Sequence, residues 1–321
     1  MKFEEMRIGG LTAGSVATGL YVLKQKELRK AQSGKLFMNL DFCDKTGVIN
    51  AKIWDAAEET FNALELFKIY YVKGRVDIWN GVLQLTVDKY KLAEQEIQDR
   101  IEDYVPTAPE KPEDMMAYIE DCVNGFENDD LKLLVLYFLE TNREKLMIWP
   151  AAKSLHHAVR SGLLYHIKRM LMNAMGLVRV YEGINKDLLL AGIILHDMDK
   201  LNELQADSLG LAEYTVEGQL LGHITMGVLS LQKLCDDLAV DPEITMVLQH
   251  MILSHHGIPE YGSPKPPMVI EAEVLHYLDL LDARIYDYNE YLQNIGPGEF
   301  SEPVWSMDKK RIYKHKVERS S

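Results

Sequence analysis

Eight apolar or small residues in a row, Leu188-Leu189-Leu190-Ala191-Gly192-Ile193-Ile194-Leu195, end in His196-Asp197. A helix that is apolar all round has no face to give to water, so the run reads as a segment buried on every side. Two strongly polar side chains at its end must then find partners, because an unpaired buried polar group costs about 1–3 kcal/mol and a charged one more. His166 upstream, and His223, His255, His256, Asp279 and Asp282 downstream, are spaced along the chain so that separate helices could bring them there. Nitrogen and oxygen donors gathered from several helices are what a hydrolytic metal site requires.

The 321 residues suffice for two domains of ordinary size. The start, MKFEEMRIGG, has no apolar core of the signal-peptide kind. The Leu188–Leu195 run is far short of the roughly 20 residues that span a bilayer. Cys43, Cys122 and Cys235 form no CxxC pair. Neither a disulfide framework nor a zinc–thiolate site is expected, and the chain is expected to work in the cytoplasm without a membrane. A net charge of −14 argues against wholesale attraction to nucleic acid. The acid is concentrated in the middle of the chain, however, while residues 1–95 and 301–321 are mildly basic. Phosphate contacts would have to be local.

The pattern changes once along the chain. Leu36 to Phe42 alternates with period two, Asp44-Lys45-Thr46-Gly47 is a turn, and Val48 to Trp54 alternates again with Ile49, Ala51 and Ile53 inward. Ala56 to Phe67 has helical spacing. Ile69 to Trp79 reads as a long strand with Tyr70, Val72, Val76 and Ile78 on one face, and Asn80-Gly81 as a hairpin leading into Val82–Leu92. This order predicts a five-stranded barrel of the OB type over residues 1–95. Residues 96–113, with Pro106, Pro109 and Pro112, read as a linker. From there the chain is helical, with helices expected near 154–180, 187–200, 215–238, 242–256 and 267–294. The fold class is thus an all-β barrel followed by an all-α domain over 114–300, with a basic tail over 301–321.

Imidazoles and carboxylates without thiolate suit Mn²⁺, Mg²⁺ or Fe²⁺. A lone histidine on an apolar helix is ordinarily a satisfied core residue, but an ordered set is different. His166, then Ile194-Leu195-His196-Asp197-Met198-Asp199-Lys200, then Asp279 within Tyr277-Leu278-Asp279-Leu280-Leu281-Asp282 resembles the HD phosphohydrolase superfamily. The resemblance implies His166, His196, Asp197 and Asp279 as ligands of a metal. It matches His223, His255 and His256 to the extra histidines of members with further metal or phosphate contacts, and Lys200 to a lysine near the scissile phosphate. Asp282, one turn beyond Asp279, is open between supporting a ligand and simply facing water. His157 lies half a turn out of phase with His166 on one straight helix, so either that helix begins near Gly162 or His157 serves elsewhere.

The outer face of the predicted barrel carries Lys35, Phe37, Lys52, Trp54, Tyr71, Lys73, Arg75 and Trp79. Rings interleaved with cations suit single-stranded nucleic acid, the rings stacking on bases and the cations tracking the backbone. The stretch Gly34–Asp55 resembles the anticodon-binding type of OB domain. Joined to an HD domain, it is similar to the YhaM family of 3′→5′ exoribonucleases, most specifically over Leu188–Lys200, Tyr214–Thr225 and Leu253–Gly257 continuing to Met268. That likeness implies a metal-dependent hydrolase, with Mn²⁺ expected and Mg²⁺, Co²⁺ or Fe²⁺ as alternatives. It would shorten single-stranded RNA, with single-stranded DNA a further candidate, to nucleoside 5′-monophosphates. His196, Asp197 and Lys200 would be its catalytic residues, and a homo-oligomer is left open. Two rivals are a nucleotide or cyclic-nucleotide phosphodiesterase with a regulatory barrel, and a non-catalytic binding protein. Relatives that cleave cyclic dinucleotides carry Gly-Tyr-Pro after the paired histidines; here the residues are Gly257-Ile258-Pro259.

Overall fold

The computed structural model describes all residues except 1–5, 32–33, 80–81, 154–158, 208, 211, 294, 305–306, 308 and 318–321. It divides into one unit of residues 1–107 with 207–210 and another of residues 108–206 with 211–321.

In the first unit five strands close into a barrel: β1 (Val16–Lys30), β2 (Leu36–Asp44), β3 (Gly47–Trp54), β4 (Ile69–Trp79) and β5 (Val82–Leu92), in the order β1-β2-β3-β5-β4. Neighbours are antiparallel except β3 and β5, which run parallel where Asn50, Ala51 and Lys52 meet Gln84, Leu85 and Thr86. A short helix α1 (Glu58–Ala63) separates β3 from β4. The alternation seen in the sequence becomes the inside and outside of the barrel: Met38, Leu40, Phe42, Ile49, Ala51, Val72, Val76 and Leu85 are buried together. Ile78, expected inward, is exposed instead, because β4 runs past the end of the core there. Trp79 pairs with Val82, leaving two residues for the hairpin loop; Asn80-Gly81 themselves lie outside the described residues. The turn after β2 is locked by buried Asp44, whose carboxylate accepts Ile8 N (2.8 Å), Thr46 N (2.7 Å) and Thr46 Oγ1 (2.5 Å).

The segment expected to link the domains is not all extended; it holds α2 (Gln95–Gln98) and a 3₁₀ turn at Ile101–Asp103. The second unit is helical. It contains α3 (Pro112–Asn124), α4 (Asp129–Thr141), α5 (Arg143–Leu146), α6 (Gly162–Leu177), α7 (Lys186–Leu195) and α8 (Lys200–Glu203). A two-stranded ribbon of β6 (Leu204–Ala206) and β7 (Ala212–Tyr214) follows, and then α9 (Val216–Leu238), α10 (Pro242–Ser254) and α11 (Ile270–Gln293). Helix α7 is the centre of this unit and touches α3, α4, α6, α10 and α11. That surround explains why its sequence is apolar without a period. Polar side chains start the helices: Asn128, Asn185, Thr215 and Asp241 each accept a first-turn amide of α4, α7, α9 and α10. Helix α6 begins at Gly162, which settles the phase question for His166; His156 and His157 lie outside the described residues.

The expected tail is folded over much of its length. Phe300 pairs with Tyr313 and Val304 with Lys310, and Val304, Met307 and Ile312 bury against Leu292 of α11. Among the described residues no helix is long and apolar enough to cross a membrane.

Candidate metal centre

Helices α7 and α10 stop with the same device. His196 is the first residue beyond α7, and its Nδ1 lies 2.8 Å from Ile193 O. His255 is the first residue beyond α10, and its Nδ1 lies 2.7 Å from Ile252 O. A carbonyl only accepts, so Nδ1 donates in each ring and Nε2 is the nitrogen turned into the site. The two rings meet edge to face, 5.0 Å between centroids. Helix α6 brings His166 within 5.5 Å of His196, and α9 brings His223 within 5.7 Å of His255. His256 meets His255 edge to face, 4.2 Å between centroids, and α11 supplies Asp279.

Each candidate ligand has a support. His166 is clamped between two carboxylates of α11, Nε2 at 3.3 Å from Asp279 and Nδ1 at 2.8 Å from Asp282. Asp282 also takes Arg169 Nε at 2.8 Å. Glu203 does the same for His223: one oxygen accepts both the His223 amide (3.0 Å) and Nδ1 (3.1 Å). The amide is turned toward it by a kink inside α9, where Gly222 has φ 71° and ψ 155°, a conformation essentially closed to other residues. His276 of α11 donates from Nδ1 to His255 O at 2.8 Å and braces the His255-His256-Gly257 turn. Lys200 Nζ sits 2.7 Å from Asp197 Oδ2.

The electrostatics follow from burial and these partners. Burial, with His256 and His196 alongside, pushes His255 well below the ordinary histidine range and keeps it neutral. Burial likewise lowers His256. Burial would also lower His166, but the hydrogen bonds to Asp279 and Asp282 outweigh it and raise the imidazole to about 9. Asp197 is buried, which would raise its carboxyl; His196 and Lys200 together hold it well below the usual range instead. Asp197 in turn outweighs burial for Lys200 and keeps the ammonium charged.

His196 Nε2, His223 Nε2, His255 Nε2 and Asp197 Oδ1 are buried and make no hydrogen bond. Donors left this way at one place are costly unless something positive lies among them. They fall into three overlapping triads, each with its ligand atoms within 4.8 Å of one another: His166, His196 and Asp197; His196, His255 and Asp279; His223, His255 and His256. Tautomers fixed by carbonyl or carboxylate partners and lone pairs aimed inward fit a divalent ion held by nitrogen and oxygen. All seven residues expected as ligands therefore converge, and Lys200 lies beside them. Glu203, Arg169 and His276 were not expected. Glu203 lacked a signal because its partner depends on a kink that only the fold displays. Asp282, left open by the sequence, supports His166.

On the barrel, Phe37 and Trp54 face each other across β2 and β3, 5.0 Å between ring centroids. Lys52 Nζ lies 5.6, 5.5 and 5.4 Å from the rings of Phe37, Trp54 and Trp79. Four expected contact residues thus form one group, with Trp54 and Trp79 exposed and Phe37 and Lys52 half-buried. Tyr71, Lys73 and Arg75 lie farther along β4, between β1 and β5. Arg75 is 3.8 Å from Asp88, and Lys35 is 2.8 Å from Asp55.

A closed five-stranded barrel followed by helices that converge histidines and aspartates defines an OB-type barrel joined to an HD-type helical domain. The model of the OB-fold nucleic acid binding domain matches residues 22–93, and that of the HD domain matches residues 163–284. The 3′-5′ exoribonuclease YhaM of Geobacillus sp. strain WCH70 is 42% identical, with 88% of this chain and 87% of that protein covered. The 3′-5′ exoribonuclease YhaM of Oceanobacillus iheyensis is 36% identical, over 96% and 97%. The chain belongs to the YhaM family. Among solved structures, the second OB-fold domain of replication protein A from Methanococcus maripaludis covers 28% of this chain and 95% of its own at 20% identity, with a TM-score of 0.24.

Proposed function

We propose that this protein is a metal-dependent 3′→5′ exoribonuclease that hydrolyses single-stranded RNA to nucleoside 5′-monophosphates. The observation that carries the reading is the convergence of His196, His223 and His255 on the Asp197 carboxylate, 3.2, 3.4 and 3.9 Å from their Nε2 atoms, buried beside a charged lysine. His166, His196, Asp197 and Asp279 would hold the metal, with Mn²⁺ the ion that the family likeness implies. His223, His255 and His256 form a second group on the other side of Asp197, suited to a further ion or to a phosphate. When bound, a divalent ion supplies a water of lowered pKa and draws charge from a phosphoryl oxygen.

The chain's own residues do the rest. Asp197 holds Lys200 charged and in place, so the ammonium can meet a non-bridging phosphate oxygen as charge builds there. Ile193 O and Ile252 O keep His196 and His255 in the tautomer that presents Nε2. Asp282 and Glu203 stop His166 and His223 from turning. Phe37, Trp54 and Trp79 offer faces for bases, and Lys52 among them a charge for the backbone, without reading sequence. Affinity for the strand and hydrolysis are thereby assigned to different residues.

The test is decay of a 3′-terminal series of single-stranded RNA with Mn²⁺, Mg²⁺ or Co²⁺, products resolved by chromatography, with single-stranded DNA in parallel. Stepwise loss from the 3′ end to mononucleotides is expected. Hydrolysis of a cyclic dinucleotide with no RNA decay would overturn the reading.

A further inference from the structure

The C-terminal ribbon carries the same combination of groups as the aromatic face of the barrel. Residues 296–304 and 309–316 pair with one another beyond α11, with Ser301 N donating to Ile312 O (2.8 Å) and Lys314 N to Glu299 O (3.0 Å). Lys314 Nζ donates to Leu292 O (2.7 Å) and Ile295 O (2.8 Å), fastening the ribbon to the end of α11. One side of the ribbon is buried through Val304, Met307 and Ile312. The other shows two rings to water: Phe300 is 55% exposed and Tyr313 47%. Their centroids are 4.8 Å apart. The Arg311 guanidinium lies 5.5 Å from the Phe300 ring, held by a 3.0 Å bond from Nε to Ser301 O. Lys310 and Lys316 are exposed nearby in the chain, with Glu299 and Glu302 as acidic neighbours.

Two large rings kept at the surface with a cation stacked on one of them gain nothing from water. They gain from a partner with flat apolar faces and negative charge. In a chain of net charge −14 a basic stretch of this kind is also the exception. A single strand of nucleic acid supplies both features, since a base stacks on the rings while its phosphates meet Arg311, Lys310 and Lys316. We propose that the Phe300–Tyr313 face of the C-terminal ribbon is a second binding surface for single-stranded RNA. The proposal rests on the exoribonuclease reading above.

Its place makes the effect depend on strand length. Asp279, in the metal centre, and Leu292, against the ribbon, lie thirteen residues apart on α11. At 1.5 Å per residue that is roughly 20 Å, about six nucleotides at ~3.4 Å each. A base-stacked strand shorter than this does not reach from centre to ribbon.

The experiment uses the intact protein with Phe300→Leu and Tyr313→Leu combined, which keeps apolar bulk and removes the stacking faces. Binding of labelled 20-nucleotide and 3-nucleotide oligoadenylate is followed by fluorescence anisotropy in chelator, and decay of the trimer is followed in Mn²⁺. The double variant is expected to bind the 20-mer about tenfold more weakly, with trimer binding and decay unchanged. Phe300→Tyr, which keeps a stacking face, is expected to match the wild type and guards against misfolding as the cause. A 20-mer affinity within twofold of wild type, while the wild type binds and degrades RNA, overturns the second surface and leaves the exoribonuclease reading standing. An equal loss toward polyglutamate, a polyanion without bases, also overturns it. A wild type that neither binds nor degrades RNA overturns both.

Discussion

Glu203 holds His223 at two points with a single carboxylate oxygen, accepting its amide at 3.0 Å and its Nδ1 at 3.1 Å. Burial would raise this carboxyl, and the bonds from His223 lower it instead, so it stays ionised and keeps Nδ1 protonated. If the proposed His223, His255 and His256 group takes an ion, replacing Glu203 by Ala is expected to weaken its binding by about 10–100-fold. Calorimetric titration with Mn²⁺ measures it, and Glu203→Gln should fall between Ala and wild type. Unchanged metal affinity in the Ala variant would remove Glu203 from the centre.

His196→Ala and Asp197→Ala should bring RNA decay below detection while leaving affinity for a 20-nucleotide strand within about threefold of wild type. The barrel and the centre share no residue, and the loss of an imidazole or carboxylate ligand falls on the chemical step. Chelator should stop the wild type in the same way, and added Mn²⁺ should restore it. A parallel loss of binding and decay would show that the strand is held chiefly by the centre.

Trp54→Ala removes one wall of the group around Lys52. Base-to-ring stacking contributes roughly 1–3 kcal/mol per base, so KM on long RNA should rise at least about fivefold. Turnover of a dinucleotide should not move. Steady-state kinetics on the two substrates separates these outcomes, and an unchanged KM on long RNA would take the barrel face out of the reaction.

Asp44 is buried and satisfies two amides and a hydroxyl at the turn after β2. Asp44→Ala leaves those donors without their acceptor and should destabilise the barrel by about 2–4 kcal/mol. A lowered urea midpoint for the barrel transition, with the helical unit's transition unmoved, is the expected readout.

Much of this was legible in the residues. Alternation with period two over Leu36–Phe42 and Val48–Trp54 marked the barrel walls, since the pleat turns every second side chain inward. The apolar run closed by His196-Asp197 marked α7 and the centre together. Ile78 was misplaced because alternation continues beyond the point where the core ends, and nothing local records that end. Residues 301–321 read as a tail because Val304, Met307 and Ile312 are too few and too scattered to show a period; they make a core only with Leu292. Glu203, Arg169 and His276 escaped notice because their roles arise from contacts between elements far apart in the chain. Local patterning carries the ligands, whereas the groups that steady them are set by tertiary packing.

The order of the metal centre along the chain has a consequence for biosynthesis. Its first candidate histidine lies on α6 and its last candidate aspartate on α11, after every strand of the barrel. A nascent chain emerging from the ribosome can close the barrel, which needs only β1 to β5, long before Asp279 has been made. A chain that breaks off early can therefore hold a strand without possessing a finished hydrolytic centre. The proposed centre can be finished only once α11 has been made.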